Sequence, residues 1–101
     1  MLKHIVMWKL KDFAEGKSKE ENIQFIKSEL ENLVNLIPQI KFLEVGQTIN
    51  DDAVYDAVLY SEFESPEDLD IYIEHPEHKR VAAYIARIRD GRIAGDYIIR
   101  E

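Results

Sequence analysis

The sequence of 101 residues contains no cysteine, and it has only four glycines and three prolines. Without cysteine, the chain cannot form a disulfide scaffold, a cysteine-ligated zinc site, an iron–sulfur cluster or a cysteine nucleophile. The few glycines and prolines leave little room for long loops or linkers. No apolar run is long enough to cross a membrane, and residues 1–6 are typical of a β-strand rather than a signal peptide. We therefore expect a cytoplasmic protein with no membrane partner.

Basic residues are also scarce, because 13 lysines and arginines stand against 20 acidic residues and give a formal net charge of -7. Nucleic-acid binding needs a basic field, so we expect no nucleic-acid partner. Apolar residues make up 46% of the chain and charged residues 33%, which is typical of a globular protein. A chain of this length builds one core, so residues 1–101 are predicted to form a single domain.

Turn and cap signals divide the chain into six elements. Alternation of apolar side chains with a period of two predicts strands at residues 2–11, 40–49, 54–63 and 93–100. Helical spacing predicts one helix over residues 18–37, where Ser18 and Glu21 fit a capping box. A second helix is predicted over residues 65–90, interrupted at His75-Pro76 because proline removes a backbone donor. The order β-α-β-β-α-β predicts an α+β, ferredoxin-like fold with an antiparallel four-stranded sheet and two helices over one face.

The predicted strands carry apolar side chains on both faces of the sheet. On the first strand Ile5 and Met7 alternate with Val6 and Trp8, and on the second we assign Val45 to the face that the helices leave uncovered. Burying about 800 Å² of such a face at ~25 cal/mol per Å² is worth roughly 20 kcal/mol before association costs. We therefore predict a homodimer through this sheet face, a symmetric dimeric α/β barrel.

The polar residues that do not fit a plain core are His4 on the first strand and Tyr72, His75 and His78 around the helix break. Each histidine has a structural alternative: a strand histidine is commonly a hydrogen-bonded core residue, and either break histidine could cap the helix. His75 and His78 could hold a metal, but no third ligand is evident beyond His4 or a carboxylate, so we predict no metal site.

A functional interpretation requires these groups to converge on a small apolar pocket between helices and sheet. A neutral imidazole can take a proton, and a buried tyrosine hydroxyl can donate to a developing oxyanion. The pocket would be lined by aromatic side chains that could equally be plain core, namely Trp8, Phe25, Phe63 and Tyr84.

The whole chain resembles the stress-responsive A/B barrel (Dabb) domain family. The resemblance is carried by residues 3–9, by the helix end at residues 35–38, by the strand at residues 56–60 with residues 63–65, and above all by residues 72–78. It implies the ferredoxin-like fold and a sheet-to-sheet dimer, in agreement with the apolar strand faces.

The resemblance also implies a candidate chemistry. One plant member of the family is a cofactor-free polyketide cyclase that performs an intramolecular aldol condensation. Its catalytic tyrosine and histidine match Tyr72 and His78, its strand histidine matches His4, and His75 fills the first histidine of the motif. His78 would be the general base, and Tyr72 would orient His78 or stabilise the enolate.

The candidate residues fall into two groups, and no cofactor is expected. Catalytic roles are predicted for His78, Tyr72 and His4, and ligand contacts for His75, Trp8, Phe25, Phe63 and Tyr84.

Three functions remain open. The first is a dimeric, stress-related protein with a small-molecule pocket and no assigned reaction. The second is a cofactor-independent enzyme, a cyclase, lyase or oxygenase, and the third is a component of a larger assembly. A substantial cavity containing Tyr72 and His78 would favour the enzyme, and a filled one with His78 bonded only to backbone would favour the first function.

Overall fold

A computed structural model describes residues 1–100 of the chain. In chain order its elements are β1 (Leu2–Leu10), β2 (Phe13–Ala14), β3 (Lys17–Ser18), α1 (Lys19–Asn32), a 3-10 turn (Leu33–Asn35), β4 (Phe42–Gln47), β5 (Ala57–Phe63), α2 (Pro66–Glu74), α3 (Pro76–Ile88) and β6 (Arg89–Ile98). The antiparallel sheet has the strand order β4-β5-β1-β6. The prediction of a ferredoxin-like α+β fold is thus confirmed. No helix among residues 1–100 is long and apolar enough to cross a membrane.

The small β2–β3 hairpin is one element that the sequence pattern does not predict. Glu15 and Gly16 form its two-residue turn with φ angles of 52° and 74°, the positive values that type I′ hairpin turns require. Each strand has only two residues, which is too short for an alternating pattern to be visible.

The first helix begins as predicted and ends earlier than predicted. Ser18 and Glu21 form the full capping box at the start of α1. The predicted helix over residues 18–37 is wrong in its last part, because regular α-helix stops at Asn32 and the chain tightens into the 3-10 turn. There the Leu33 carbonyl accepts a backbone hydrogen bond from the Leu36 N–H at 3.0 Å, the three-residue spacing of a 3-10 turn, and Pro38 prevents the helix from continuing.

The second helical segment is broken where the sequence predicts it. His75 is extended, with ψ of 134°, and separates α2 from α3. Its Nδ1 accepts a hydrogen bond from the Glu77 backbone N–H at 3.1 Å, so His75 caps α3. Pro76 occupies the first helical position, where no backbone donor is needed.

The helices cover one face of the sheet and form the core with it. On β1 the covered face carries Leu2, His4, Val6, Trp8 and Leu10, all buried. Against it pack apolar side chains of α1, α2 and α3, among them Ile23, Ile26, Leu30, Leu69, Val81, Ile85 and Ile88.

The assignment of Val45 to the uncovered face is wrong. Val45 is 2% exposed and lies directly opposite the buried Leu59 of β5. Directly paired residues share a face, so Val45 belongs to the covered core. Phe42, which is 43% exposed, lies on the other face of the same strand. The strand pattern could not decide between them because both sets of alternating residues include apolar side chains.

The uncovered face of the sheet carries apolar side chains at its centre, on β1, β5 and β6. The register places Met7 of β1 between Val58 of β5 and Ile93 of β6, and Ile5 lies next to Tyr60. These side chains are half-buried or exposed in the single chain. The three helices therefore leave this face open, as the strand patterns predict.

The corrected position of Val45 predicts a folding defect for Val45→Glu. A carboxylate buried there has no partner, so the free energy of unfolding should fall by roughly 3 kcal/mol or more. Denaturation in urea followed by circular dichroism measures this loss. The matched control is Val34→Glu, at a residue that is 40% exposed, where less than about 0.5 kcal/mol should be lost. Equal stability of the two variants would contradict the burial of Val45.

Candidate active site

A cavity of about 210 Å³ lies between the covered face of the sheet and the broken helix. Its walls come from β1, β5, α1, α2, α3 and the start of β6. The lining combines apolar side chains with two histidines, a tyrosine and two arginines: His4, Val6, Trp8, Leu30, Leu59, Tyr72, Ile73, His78, Ala82, Ile85, Ala86, Arg89 and Arg92.

The helix break orients His78 through a backbone carbonyl. In a continuous helix the Ile73 carbonyl would accept from the N–H of residue 77, but the Glu77 N–H is bound by the His75 side chain. The Ile73 oxygen instead lies 3.0 Å from His78 Nδ1. A carbonyl only accepts, so Nδ1 carries the proton and Nε2 of the neutral ring retains its lone pair.

Burial keeps His78 neutral. Removal from water is the main cause that lowers the pKa of His78 below its ordinary value of 6.5, and the positive charge of Arg92 acts in the same direction. The hydrogen bond to Ile73 opposes this shift without reversing it. The neutral imidazole, with Nε2 unprotonated, is therefore the predominant form of His78 near neutral pH.

Tyr72 packs against His78 across the break, with ring centroids 4.4 Å apart. Its side chain is 1% exposed, and burial raises the pKa of the Tyr72 hydroxyl above its ordinary value, so the group stays protonated and can donate. Among residues 1–100 the hydroxyl has no hydrogen-bond partner, yet no fully buried side-chain polar atom in this part of the chain is unsatisfied. The hydroxyl oxygen thus reaches the cavity.

His4 lines the cavity from the sheet side and is held by a carboxylate. Its Nδ1 lies 2.5 Å from Oδ1 of Asp96, the residue directly across from it on β6. The carboxylate accepts this hydrogen bond, which fixes the tautomer and orientation of the imidazole. The ring also makes edge contacts with Phe63 and Tyr72, with centroids 6.5 and 6.4 Å away.

Four of the sequence-predicted site residues line the cavity together, namely His4, Trp8, Tyr72 and His78. Phe63 is buried behind them and supports the Tyr72 ring, with centroids 5.1 Å apart.

The other three predicted ligand contacts lie outside the cavity lining. His75 uses Nδ1 to cap α3. Phe25 and Tyr84 contact each other on the outer side of α1 and α3, with centroids 4.8 Å apart, beneath the ammonium group of Lys17. Tyr84 also donates to the buried Asn22 at 2.6 Å. Helical spacing correctly predicted the helices that carry Phe25 and Tyr84. It did not predict that these side chains lie outside the cavity lining.

Sequence reasoning missed the residues that β6 contributes. Asp96 and Arg92 pair with His4 and Trp8 across the sheet, and that register could have indicated them. Ala82 and Ala86 follow His78 at intervals of four residues on α3, the spacing of one helix face. Small side chains in line with the histidine leave room for the cavity.

The described histidines do not form a metal-binding cluster. Among residues 1–100 no three histidine, aspartate or glutamate side chains converge in a way that could hold a metal ion. His75 and His78 direct their Nδ1 atoms to different backbone groups.

Comparison with known proteins places this geometry in a family. The model of the stress responsive A/B barrel domain matches residues 2–99. Olivetolic acid cyclase from Cannabis sativa is 36% identical over 80 residues, which cover 76% of this chain and 75% of that protein. The stress-response A/B barrel domain-containing protein DABB1 from Arabidopsis thaliana is 32% identical over an alignment that covers all of this chain and 48% of that protein, so the chain spans about half its length.

A solved structure gives the same relationship at the level of the fold. A dimeric protein of unknown function and ferredoxin-like fold from Bacteroides fragilis superposes with a TM-score of 0.84 at 32% identity, covering 97% of this chain and 95% of that one. The chain therefore belongs to the stress-responsive A/B barrel domain family.

Proposed function

We propose that the protein is a cofactor-independent acid–base catalyst that acts on a small organic molecule in the cavity, with His78 as general base and Tyr72 as hydrogen-bond donor. One observation carries the proposal: a neutral histidine whose Nδ1 is bound to a backbone carbonyl, and a protonated tyrosine with no hydrogen-bond partner among residues 1–100, face the same cavity. The cyclase named among the relatives supports this class of reaction.

The arrangement suits proton abstraction next to a carbonyl. Nε2 of His78 takes the proton from the acidic carbon, and the electron pair moves onto the carbonyl oxygen as an enolate. The Tyr72 hydroxyl donates a hydrogen bond to that oxygen. If the enolate carbon then attacks a second carbonyl, the resulting alkoxide receives the proton back from His78, so the addition needs no redox partner.

The second pair of groups, His4 and Asp96, adjoins Tyr72, because the His4 ring makes an edge contact with the Tyr72 ring. The carboxylate holds Nδ1 of His4, which leaves Nε2 as a further site that accepts or returns a proton. We assign His4 to the catalytic set on this basis.

The size of the cavity limits the substrate. An engineered apolar cavity of about 150 Å³ holds a benzene molecule, and the 210 Å³ here is modestly larger. A single ring with a short substituent is therefore the compound class that suits the site.

Tyr72→Phe and His78→Ala should abolish catalysis without unfolding the protein. Phenylacetone in D₂O is a suitable probe, because its benzylic protons exchange through an enolate and the exchange is followed by ¹H NMR. Each variant should lose about 10²-fold or more of the catalysed exchange. Tyr72→Phe should change the free energy of unfolding by less than about 1 kcal/mol, because the hydroxyl makes no hydrogen bond within the described chain.

The matched control for these variants is His75→Asn, which removes an imidazole outside the cavity and keeps a helix-capping side chain. It should retain the exchange activity. Loss of several kcal/mol of stability in both Tyr72→Phe and His78→Ala would assign these residues to the scaffold. Wild-type protein that binds phenylacetone without accelerating exchange would support a binding protein instead of a catalyst.

The pH profile should follow the lowered pKa of His78. The base works only when Nε2 is unprotonated, so exchange should rise with pH, reach half its maximum below pH 6.5 and stay level through neutrality. The free energy of unfolding should change with pH in the same direction. Because the pKa of His78 is lower in the folded state, its contribution to stability is present above pH 6.5 and is lost as the pH falls. A ¹H–¹³C NMR titration of the His78 ring measures the pKa, and a midpoint above 6.5 would contradict the role of burial.

We also propose that two copies of the chain associate through the uncovered sheet face. The face is apolar at its centre, and its Lys3 and Glu62 side chains neutralise each other, with Tyr60 donating to Glu62 at 2.6 Å. Internal pairing lowers the cost of removing these charges from water. The solved protein from Bacteroides fragilis is dimeric, which supports an assembly of two copies.

Met7→Glu should separate the dimer into folded monomers. The substitution introduces a carboxylate between Val58 and Ile93 at the centre of the face, and an unpaired charge buried in an interface costs several kcal/mol. Sedimentation equilibrium reports the mass. Ile71→Glu is the control, because Ile71 on α2 is 45% exposed and away from the sheet. A Met7→Glu protein that sediments as an intact dimer would exclude this interface, and species larger than two copies in the wild type would favour an assembly role.

A further inference from the structure

Arg89 and Arg92 stand at the cavity without a carboxylate partner among residues 1–100, although the chain is strongly acidic. The two arginines of α3 differ from them: Arg80 binds Glu29, and Arg87 binds Glu15. A chain with 20 acidic residues thus leaves two guanidinium groups without a carboxylate partner, within the described residues, at a cavity that histidine and tyrosine side chains also line.

The strand register directs both arginines to the cavity side of the sheet. Arg89 pairs with Leu10 and Arg92 with Trp8, and both partners belong to the buried face of β1. β6 is an edge strand, and nearly all of its residues are exposed. The two guanidinium groups therefore border the cavity from its solvent-accessible side.

The rest of the lining near them is apolar. Val6, Trp8, Leu59 and Ile85 form walls that offer no charge to the arginines. The positive charge of Arg92 is felt at His78, where it lowers the pKa of the imidazole, so the cation and the proposed base lie within electrostatic range of each other. An anionic group placed between the arginines would be attracted to both. The apolar walls would then contact the uncharged part of the same molecule.

We infer that the site takes a small carboxylic acid, with its carboxylate held by Arg89 and Arg92 and its apolar body against Val6, Trp8 and Leu59. The planar guanidinium matches a carboxylate with two parallel hydrogen bonds, and such charge-assisted bonds are among the strongest in proteins. The inference rests on the proposed function for the position of the site, and it adds the chemical class of the substrate and the residues that select it.

The test compares an acid with its neutral analogue. Phenylacetate and phenylacetamide have the same ring and length and differ in charge, and benzylphosphonate represents a phosphate-like anion. Binding is followed by ¹H–¹⁵N NMR, which also reports whether the shifted amides belong to the cavity. Phenylacetate should bind at least about tenfold more tightly than phenylacetamide, and added salt should reduce the difference.

The variants separate charge from geometry. Arg92→Gln and Arg89→Gln should each remove most of the preference for the acid, and Arg92→Lys should restore part of it because it keeps the charge without the planar fork. Arg87→Gln is the matched control, since it removes one arginine of the same region that is paired outside the cavity, and it should keep the preference. Both cavity arginines are exposed, so the variants should remain folded, which circular dichroism verifies.

The outcomes distinguish this inference from the proposed function. Equal binding of acid and amide in the cavity, with exchange of phenylacetone intact, would overturn carboxylate selection and leave the catalytic proposal standing. Tighter binding of the phosphonate than of phenylacetate would overturn the choice of carboxylate. Both proposals would be overturned if the wild type did not accelerate phenylacetone exchange and no compound shifted the amide signals of the cavity residues. A preference for the acid that survives Arg89→Gln and Arg92→Gln would exclude these residues as the anchor.

Discussion

The interruption between α2 and α3 is the constraint on which the candidate site depends. Pro76 has no backbone N–H and cannot continue α2, so His75 adopts an extended conformation and caps the next helix. This releases the Ile73 carbonyl from the helical hydrogen-bond pattern, and the carbonyl binds His78 instead. A purely local property of proline thereby sets the tautomer of a histidine and brings its ring against Tyr72.

Burial then favours the neutral forms of both His78 and Tyr72, which are the forms that the proposed reaction requires. The same withdrawal from water disfavours the imidazolium of His78 and the phenolate of Tyr72, so one group is left able to accept and the other able to donate. The polar side chains from β6 complete the enclosure: Asp96 fixes His4, and Arg92 adds positive charge. The site is therefore assembled from a helix break on one side and an edge strand on the other.

The sequence allowed the element order to be predicted because every long element carries its own local signal. Ser18 with Glu21 marks a helix start, and Pro76 marks a break, whatever the rest of the chain does. The convergence of Tyr72 and His78 was also predictable, since both flank the break. Long-range relations were harder. The face of Val45 depends on its register with β5, and the positions of Asp96 and Arg92 depend on how β6 pairs with β1, which no local pattern specifies when both strand faces contain apolar residues.

Successive residues of β1 belong to separate environments. His4, Val6 and Trp8 face the cavity, and the intervening Ile5 and Met7 face the open side of the sheet. Because the side-chain period of a strand is two, substitution at one position can alter either surface independently of the other. Insertion or deletion of a single residue within β1 would instead exchange the two surfaces at once. A point substitution in this strand therefore reaches one of the two surfaces, whereas a change in its length disturbs both.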